Sequence, residues 1–223
     1  MTNQSTEISD QYHQQGRALL PALLAPEVAS NLTFEIQKVI AQVGAKLLAA
    51  PRVGEKPAYE LYGYHWWPMT TLHFGLTSRM ESLTGVALLP TYSFFRSYQG
   101  GDICRIHADR AACEHSLSLT LAYADDQPWS LSVERVALAP GEFFKSGQMS
   151  DYGDADYDEF AMRPGDAVLY KGIERRHGRL APNPNRWSAH LFLHWVEKDG
   201  AYAKEAYDGR TLPRQQDFVF PKG

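Results

Sequence analysis

The repeat of apolar residues changes once along this 223-residue chain, at Gly85, and that change restricts the fold more than any other feature. Before it, Val28, Leu32, Ile36, Val39, Ile40, Val43 and Leu47 recur at spacings of three and four. That is one face of an amphipathic helix. Pro26 stands at the first helical position, where proline is favoured, so the spacing predicts a helix over Pro26–Leu48. Met69, Leu72, Leu76, Met80 and Leu83 form the stripe of a second helix, with Gly85 where a C-terminal cap belongs. After Gly85 the pattern is extended. The predicted strands are Ala87–Tyr98, Ile103–Ala108, Ser116–Ala124, Leu131–Leu138, Glu159–Met162, Ala167–Tyr170 and Trp187–Val196. Gly100-Gly101, Pro128, Pro140-Gly141 and Pro164-Gly165 punctuate the joins. Helices followed by a run of short strands, with no internal repeat, indicate a mainly β, α+β chain built as a sandwich or barrel rather than alternating βαβ units.

At this length one domain is expected over 1–223: a helical part at 17–85, a β core at 87–197 and a C-terminal extension at 198–223. Residues 1–16 are polar and read as loosely held, and Arg17–Leu24 as a short buried strand or turn leading into a helix. The stretch 59–67 crowds Tyr59, Tyr62, Tyr64, Trp66 and Trp67 into a predicted loop, as a substrate wall or as core aromatics. Residues 150–159 carry five acidic side chains without EF-hand spacing, which reads as a solvated hairpin loop.

The net charge of −4 offers no general attraction to nucleic acid or anionic membrane. Cys104 and Cys113 fit no zinc or CxxC spacing and read as free thiols of a reducing compartment. The N-terminus lacks a basic and then apolar leader, and no apolar run approaches a membrane span. A cytoplasmic protein is expected, with its oligomeric state open.

Within this frame, His107 and Asp109 stand two apart in a predicted strand. Residues i and i+2 share a strand face, so an imidazole and a carboxylate lie side by side. Taken alone the pair is equally a surface salt bridge. His177, 70 residues on, supplies a third group and completes a two-histidine, one-carboxylate set for Fe(II). Three protein ligands leave three positions open. A site charge near +1 suits a dianionic 2-oxo acid, whose far carboxylate then needs a cation. Arg186, nine positions after His177 at the head of the apolar strand Trp187–Val196, is expected to supply it, with Ser188 on the same face. The other reading of Arg186 is a surface arginine at a strand start. His190 and His194 are about 13 Å apart on an extended chain, too far for one metal, and read as core histidines, His194 with a supporting role near the site. His115 reads as a surface residue, and substrate contact by His65 or His73 has no support in the pattern.

From Tyr92 to Trp195 the chain resembles the prolyl 4-hydroxylase-like branch of the 2-oxoglutarate and Fe(II)-dependent dioxygenases. The resemblance rests on Tyr98-Gln-Gly-Gly, His107-x-Asp109, Ser116–Tyr123, Arg163-Pro-Gly-Asp-Ala-Val-Leu-Tyr, His177-Gly and Arg186-Trp-Ser-Ala-His-Leu-Phe-Leu-His. It implies a double-stranded β-helix, or jelly roll, with supporting N-terminal helices. It implies iron ligation by His107, Asp109 and His177, and carboxylate binding by Arg186. It places Tyr98 and Tyr123 as candidates for a phenolic hydrogen bond to 2-oxoglutarate. The implied activity is hydroxylation of an unactivated C–H bond in a peptidyl proline, an amino acid or a small metabolite, consuming O2 and releasing succinate and CO2. Asp109 as third ligand argues against halogenation. Oxidative demethylation by the same chemistry and a non-catalytic jelly-roll binding module are the alternatives. A cupin-like isomerase would show a denser His-x-His cluster. The segments 125–134 and 139–159 depart from the family pattern, so the resemblance says least about substrate.

Overall fold

The computed structural model describes residues 3–42, 53–139 and 149–210. Among these residues ten strands form two antiparallel sheets. The larger joins β1 (Arg17–Leu20), β8 (Ala167–Tyr170), β5 (His115–Tyr123), β10 (Trp187–Glu197), β3 (Leu88–Gln99) and β2 (Glu60–Tyr62), in that spatial order. The smaller joins β4 (Cys104–His107), β9 (His177–Arg179), β6 (Leu131–Glu134) and β7 (Tyr157–Phe160). The two sheets make the expected double-stranded β-helix.

Strict alternation along the central strands explains the architecture. On β10, Ala189, Leu191, Leu193 and Trp195 face the helices and join one core with Leu117, Leu119 and Leu121 of β5 and Phe95 of β3. Ser188, His190, Phe192 and His194 point the other way, into the space between the sheets. So polar an inner face is unfavourable in a closed core unless each group is paired or used.

The outer face is covered by α2 (Pro26–Gln42), which buries Ala29, Thr33 and Ile36, and by α3 (Trp67–Thr84), which buries Met69, Met80 and Leu83. The expected continuation of α2 to Leu48 lies outside the described residues. α3 stops at Gly85, whose φ of 73° lets its N–H reach Glu81 O at 2.9 Å.

Residues 1–16 depart from expectation. Asn3–Gln15 form a helix, α1, that buries Ile8 and Tyr12 one turn apart. The polar composition hid this pair, and burial against α3 and β1 supplies the stability that propensity does not. His115 is likewise buried rather than exposed, with its Nδ1 2.7 Å from the Tyr12 hydroxyl. In the acidic run, Asp158 pairs with Arg17 and Arg135, so part of the expected solvated loop is an ion-paired edge of β7. Both cysteines are free and buried. No helix among the described residues is long and apolar enough to cross a membrane.

Candidate metal and anion site

Two strands of the smaller sheet build the centre of the site. His107 ends β4 and His177 opens β9, and the two are cross-strand partners in the antiparallel register. Their rings lie 4.5 Å apart between centroids. Gly178 makes this approach possible: a Cβ there would stand 2.6 Å from Cys104 O. Asp109 lies just past β4, fixed by its N–H to Gly172 O at 2.9 Å. Its Oδ1 is 3.7 Å from His107 Nε2 and 3.6 Å from His177 Nε2.

The tautomers follow from the partners. His107 Nδ1 lies 2.8 Å from Arg105 O, and His177 Nδ1 lies 2.9 Å from Arg175 O. A carbonyl only accepts, so each Nδ1 carries the proton and each Nε2 presents a lone pair toward Asp109. Two locked imidazoles and a carboxylate, with ligand atoms within 4.8 Å of one another, fit a divalent metal of the Fe(II) type. Charge supports the same state. Burial and the neighbouring His177 depress His107 to about 4. Burial works against the Asp109 charge too, but His177, His194 and His107 outweigh it and hold the carboxyl well below its usual range. Burial also works to lower His177, but Asp109 overcomes it and raises the net value.

One face of the cavity holding these three groups continues inward to Tyr98, Cys104 and Arg179. Arg179 is the residue the sequence reading missed. It is 1% exposed, and its guanidinium sits 4.8 Å from the Trp129 ring. One terminal nitrogen donates to Trp129 O and the other to His190 Nδ1 at 3.3 Å. Among the described residues no carboxylate pairs with it. A buried cation without a counter-charge is costly, so this position calls for an anion. The signal was legible: Arg179 follows His177 by two, the spacing that joins His107 to Asp109. The strand His177–Arg179 is not among the predicted strands, because three residues are too few to display a period.

Arg186 is a correction. Its side chain is 75% exposed. Its backbone N–H and Nε both donate to Asp125, at 2.6 and 2.9 Å, and Nη2 donates to Ala124 O. The residue precedes the first residue of β10, so the alternation that turns Ser188 and His190 inward does not govern it. Apolar burial of the strand therefore says nothing about its neighbour.

The other expected residues divide. Tyr98 lines the cavity, its hydroxyl accepting from Arg96 at 3.2 Å. Arg96 is itself paired with Glu60. Tyr123 donates to Trp129 O at 3.4 Å and packs beside His190 at 5.9 Å, behind the cavity wall. Ser188 is buried and held between Asn183 and His190, each at 3.1 Å. Both support Arg179's neighbours rather than facing the cavity.

No protein-family model and no curated protein matches the chain. Solved structures do. A non-heme alpha ketoglutarate dependent carbocyclase, SnoK, from nogalamycin biosynthesis aligns over 88% of this chain and 85% of its own, with TM-score 0.70 and 15% identity. HygX from Streptomyces hygroscopicus, solved with nickel and 2-oxoglutarate, aligns over 89% and 88%, with TM-score 0.62 and 10% identity. A Pseudomonas putida prolyl-4-hydroxylase aligns over 86% and 98%, with TM-score 0.57 and 13% identity. At these identities the likeness establishes the fold.

Proposed function

We propose that this protein is a 2-oxoglutarate- and Fe(II)-dependent oxygenase that uses O2 to hydroxylate a C–H bond of a small molecule. The observation that carries the reading is the convergence of His107, Asp109 and His177 in the same cavity as a buried Arg179 that has no carboxylate partner among the described residues. On this reading β4, the segment just past it that carries Asp109, and β9 together supply both the metal ligands and the anion position. The similarity in fold to structures named for alpha ketoglutarate dependence supports it.

Bound between His107, Asp109 and His177, Fe(II) would supply O2 activation coupled to decarboxylation of the 2-oxo acid. The chain's own residues do the rest. Locked Nδ1–H bonds hold both imidazoles in the ligating tautomer. Ser116 Oγ lies 3.1 Å from Asp109 Oδ2 and holds the carboxylate, while Gly172 O accepts from the Asp109 backbone N–H and fixes the residue itself. Arg179 receives the far carboxylate of 2-oxoglutarate, and the Trp129, Tyr98 and His190 rings around it keep water from that pair. A desolvated guanidinium–carboxylate pair is stronger than the same pair at the surface.

The test is an anaerobic titration with Fe(II) and 2-oxoglutarate, read by the visible metal-to-ligand charge-transfer band. The band is expected in the wild type and absent in His107→Ala. A well-folded wild type with no band would overturn the reading.

A further inference from the structure

Beyond the anion end, the same cavity opens toward Tyr92, Phe94, Phe192 and His194. His194 is 3% exposed, and its two nitrogens are treated differently. Nδ1 lies 2.9 Å from Ser116 Oγ. Ser116 has one hydroxyl hydrogen, and its other neighbours are Asp109 Oδ2 at 3.1 Å and Cys113 O at 3.3 Å. Both of those only accept. The hydroxyl therefore donates to one of them and accepts from His194, which places the imidazole proton on Nδ1. Nε2 is left as a buried lone pair, with no partner among the described residues. A buried acceptor of this kind is expensive unless a donor arrives.

The wall beside it is aromatic. Phe192 pairs with Phe94 across β10 and β3, and Phe94 with Tyr62 across β3 and β2. The rings stack at 4.8 and 5.7 Å, with planes within 21° and 30° of parallel. Tyr62, Phe94 and Phe192 are half-buried, and the stack runs out to exposed Tyr64, 5.2 Å from Tyr62. Core aromatics would be closed over, whereas this row leads from the candidate metal to the surface.

We infer that the primary substrate is a flat aromatic molecule bearing a hydroxyl, stacked along Phe192, Phe94 and Tyr62 and donating its O–H to His194 Nε2. This rests on the oxygenase reading for what happens to the substrate, but not for its binding. Ser116 acts as the positioning residue, since its bond to Nδ1 is what turns Nε2 into an acceptor.

Calorimetric titration of the anaerobic protein loaded with Fe(II) and 2-oxoglutarate tests this, with 2-naphthol, 2-methoxynaphthalene and cyclohexanol as probes. Loss of one donor to a buried acceptor predicts that 2-naphthol binds roughly tenfold or more tightly than 2-methoxynaphthalene. Cyclohexanol should bind far more weakly than either. His194→Phe keeps a ring and removes the acceptor, so it should close the gap while retaining 2-methoxynaphthalene binding. Ser116→Ala, which frees the tautomer, should narrow the gap. Phe94→Leu should weaken both naphthyl probes alike. Equal binding of the two naphthyl probes to wild type, or a gap that survives both His194→Phe and Ser116→Ala, would overturn the inference. So would cyclohexanol binding as tightly as 2-naphthol. Absence of the charge-transfer band with the gap intact would sink the oxygenase reading and leave this one standing.

Discussion

Arg179 and Arg186 both follow His177 on the way into β10, and their surroundings are opposite. Arg179 is enclosed by Trp129 and His190 with no carboxylate partner among the described residues, whereas Arg186 lies in solvent against Asp125. Either could be picked from the sequence as the cation of a carboxylate clamp. Strand membership separates them. Arg179 ends a strand that starts at His177, so the two side chains share the inner face. Arg186 sits one residue before its strand, where an acidic neighbour outside is enough to turn it outward.

The contrast is broken or sharpened most strongly by removing each guanidinium. Arg179→Ala should weaken 2-oxoglutarate binding by about 2–5 kcal/mol, roughly 30- to several-thousand-fold. The read-out is the cosubstrate concentration that half-saturates the charge-transfer band, with the rise in melting temperature on adding 2-oxoglutarate lost in parallel. If Arg179→Ala binds as wild type does and Arg186→Ala does not, the assignment is reversed.

Gly178→Ala tests whether the strand pair itself sets the site. Its Cβ would meet Cys104 O at 2.6 Å, so β9 must move away from β4 and carry His177 with it. Overpacking of this kind costs about 1–3 kcal/mol. Thermal melting should report that loss, and Ni(II) binding should weaken with it. A variant with normal metal affinity would show that the register at His107 and His177 is not what holds the ligands.

His73 gives the comparison a titrating counterpart, a buried base that meets burial by staying neutral. It is 2% exposed, its Nε2 faces His194 O at 2.9 Å, and its ring packs on Trp195. Burial, then His194, lowers it from 6.5 to about 3. The folded state therefore resists a proton that the unfolded chain accepts. Stability from this group is fully present above pH 6.5 and is lost as the pH falls toward 3, at about 1.4 kcal/mol per unit. By pH 5 that is roughly 2 kcal/mol. His73→Asn should show a shallower fall in melting temperature between pH 7.5 and 5, and an unchanged slope would refute the assignment.

Arg186→Ala should have the smallest effect. Exposed ion pairs contribute about 0–1 kcal/mol, so stability should barely change and 2-oxoglutarate affinity should stay within about twofold of wild type. Any larger loss of affinity would mean that the surface pair with Asp125 opens when the cosubstrate binds.

The sequence by itself determined the class of fold and the composition of its centre. Period 3.6 before Gly85 and period 2 after it require helices laid on sheets, whatever the details, because each apolar face must be covered. His107 and Asp109, two apart on one extended run, were bound to share a surroundings, because i and i+2 on a strand do so without help from the rest of the chain. Ile8 and Tyr12 escaped notice because a mostly polar helix takes its stability from what it packs on. Arg179 escaped because three residues are too few to display a period, and the strand His177–Arg179 exists only through its ladders to β4 and β6. The tautomer of His194 could not be read from the chain either. It depends on the Ser116 hydroxyl, which meets Asp109 and Cys113 within seven residues along the chain but reaches His194 across 78, and only tertiary structure makes that long-range contact.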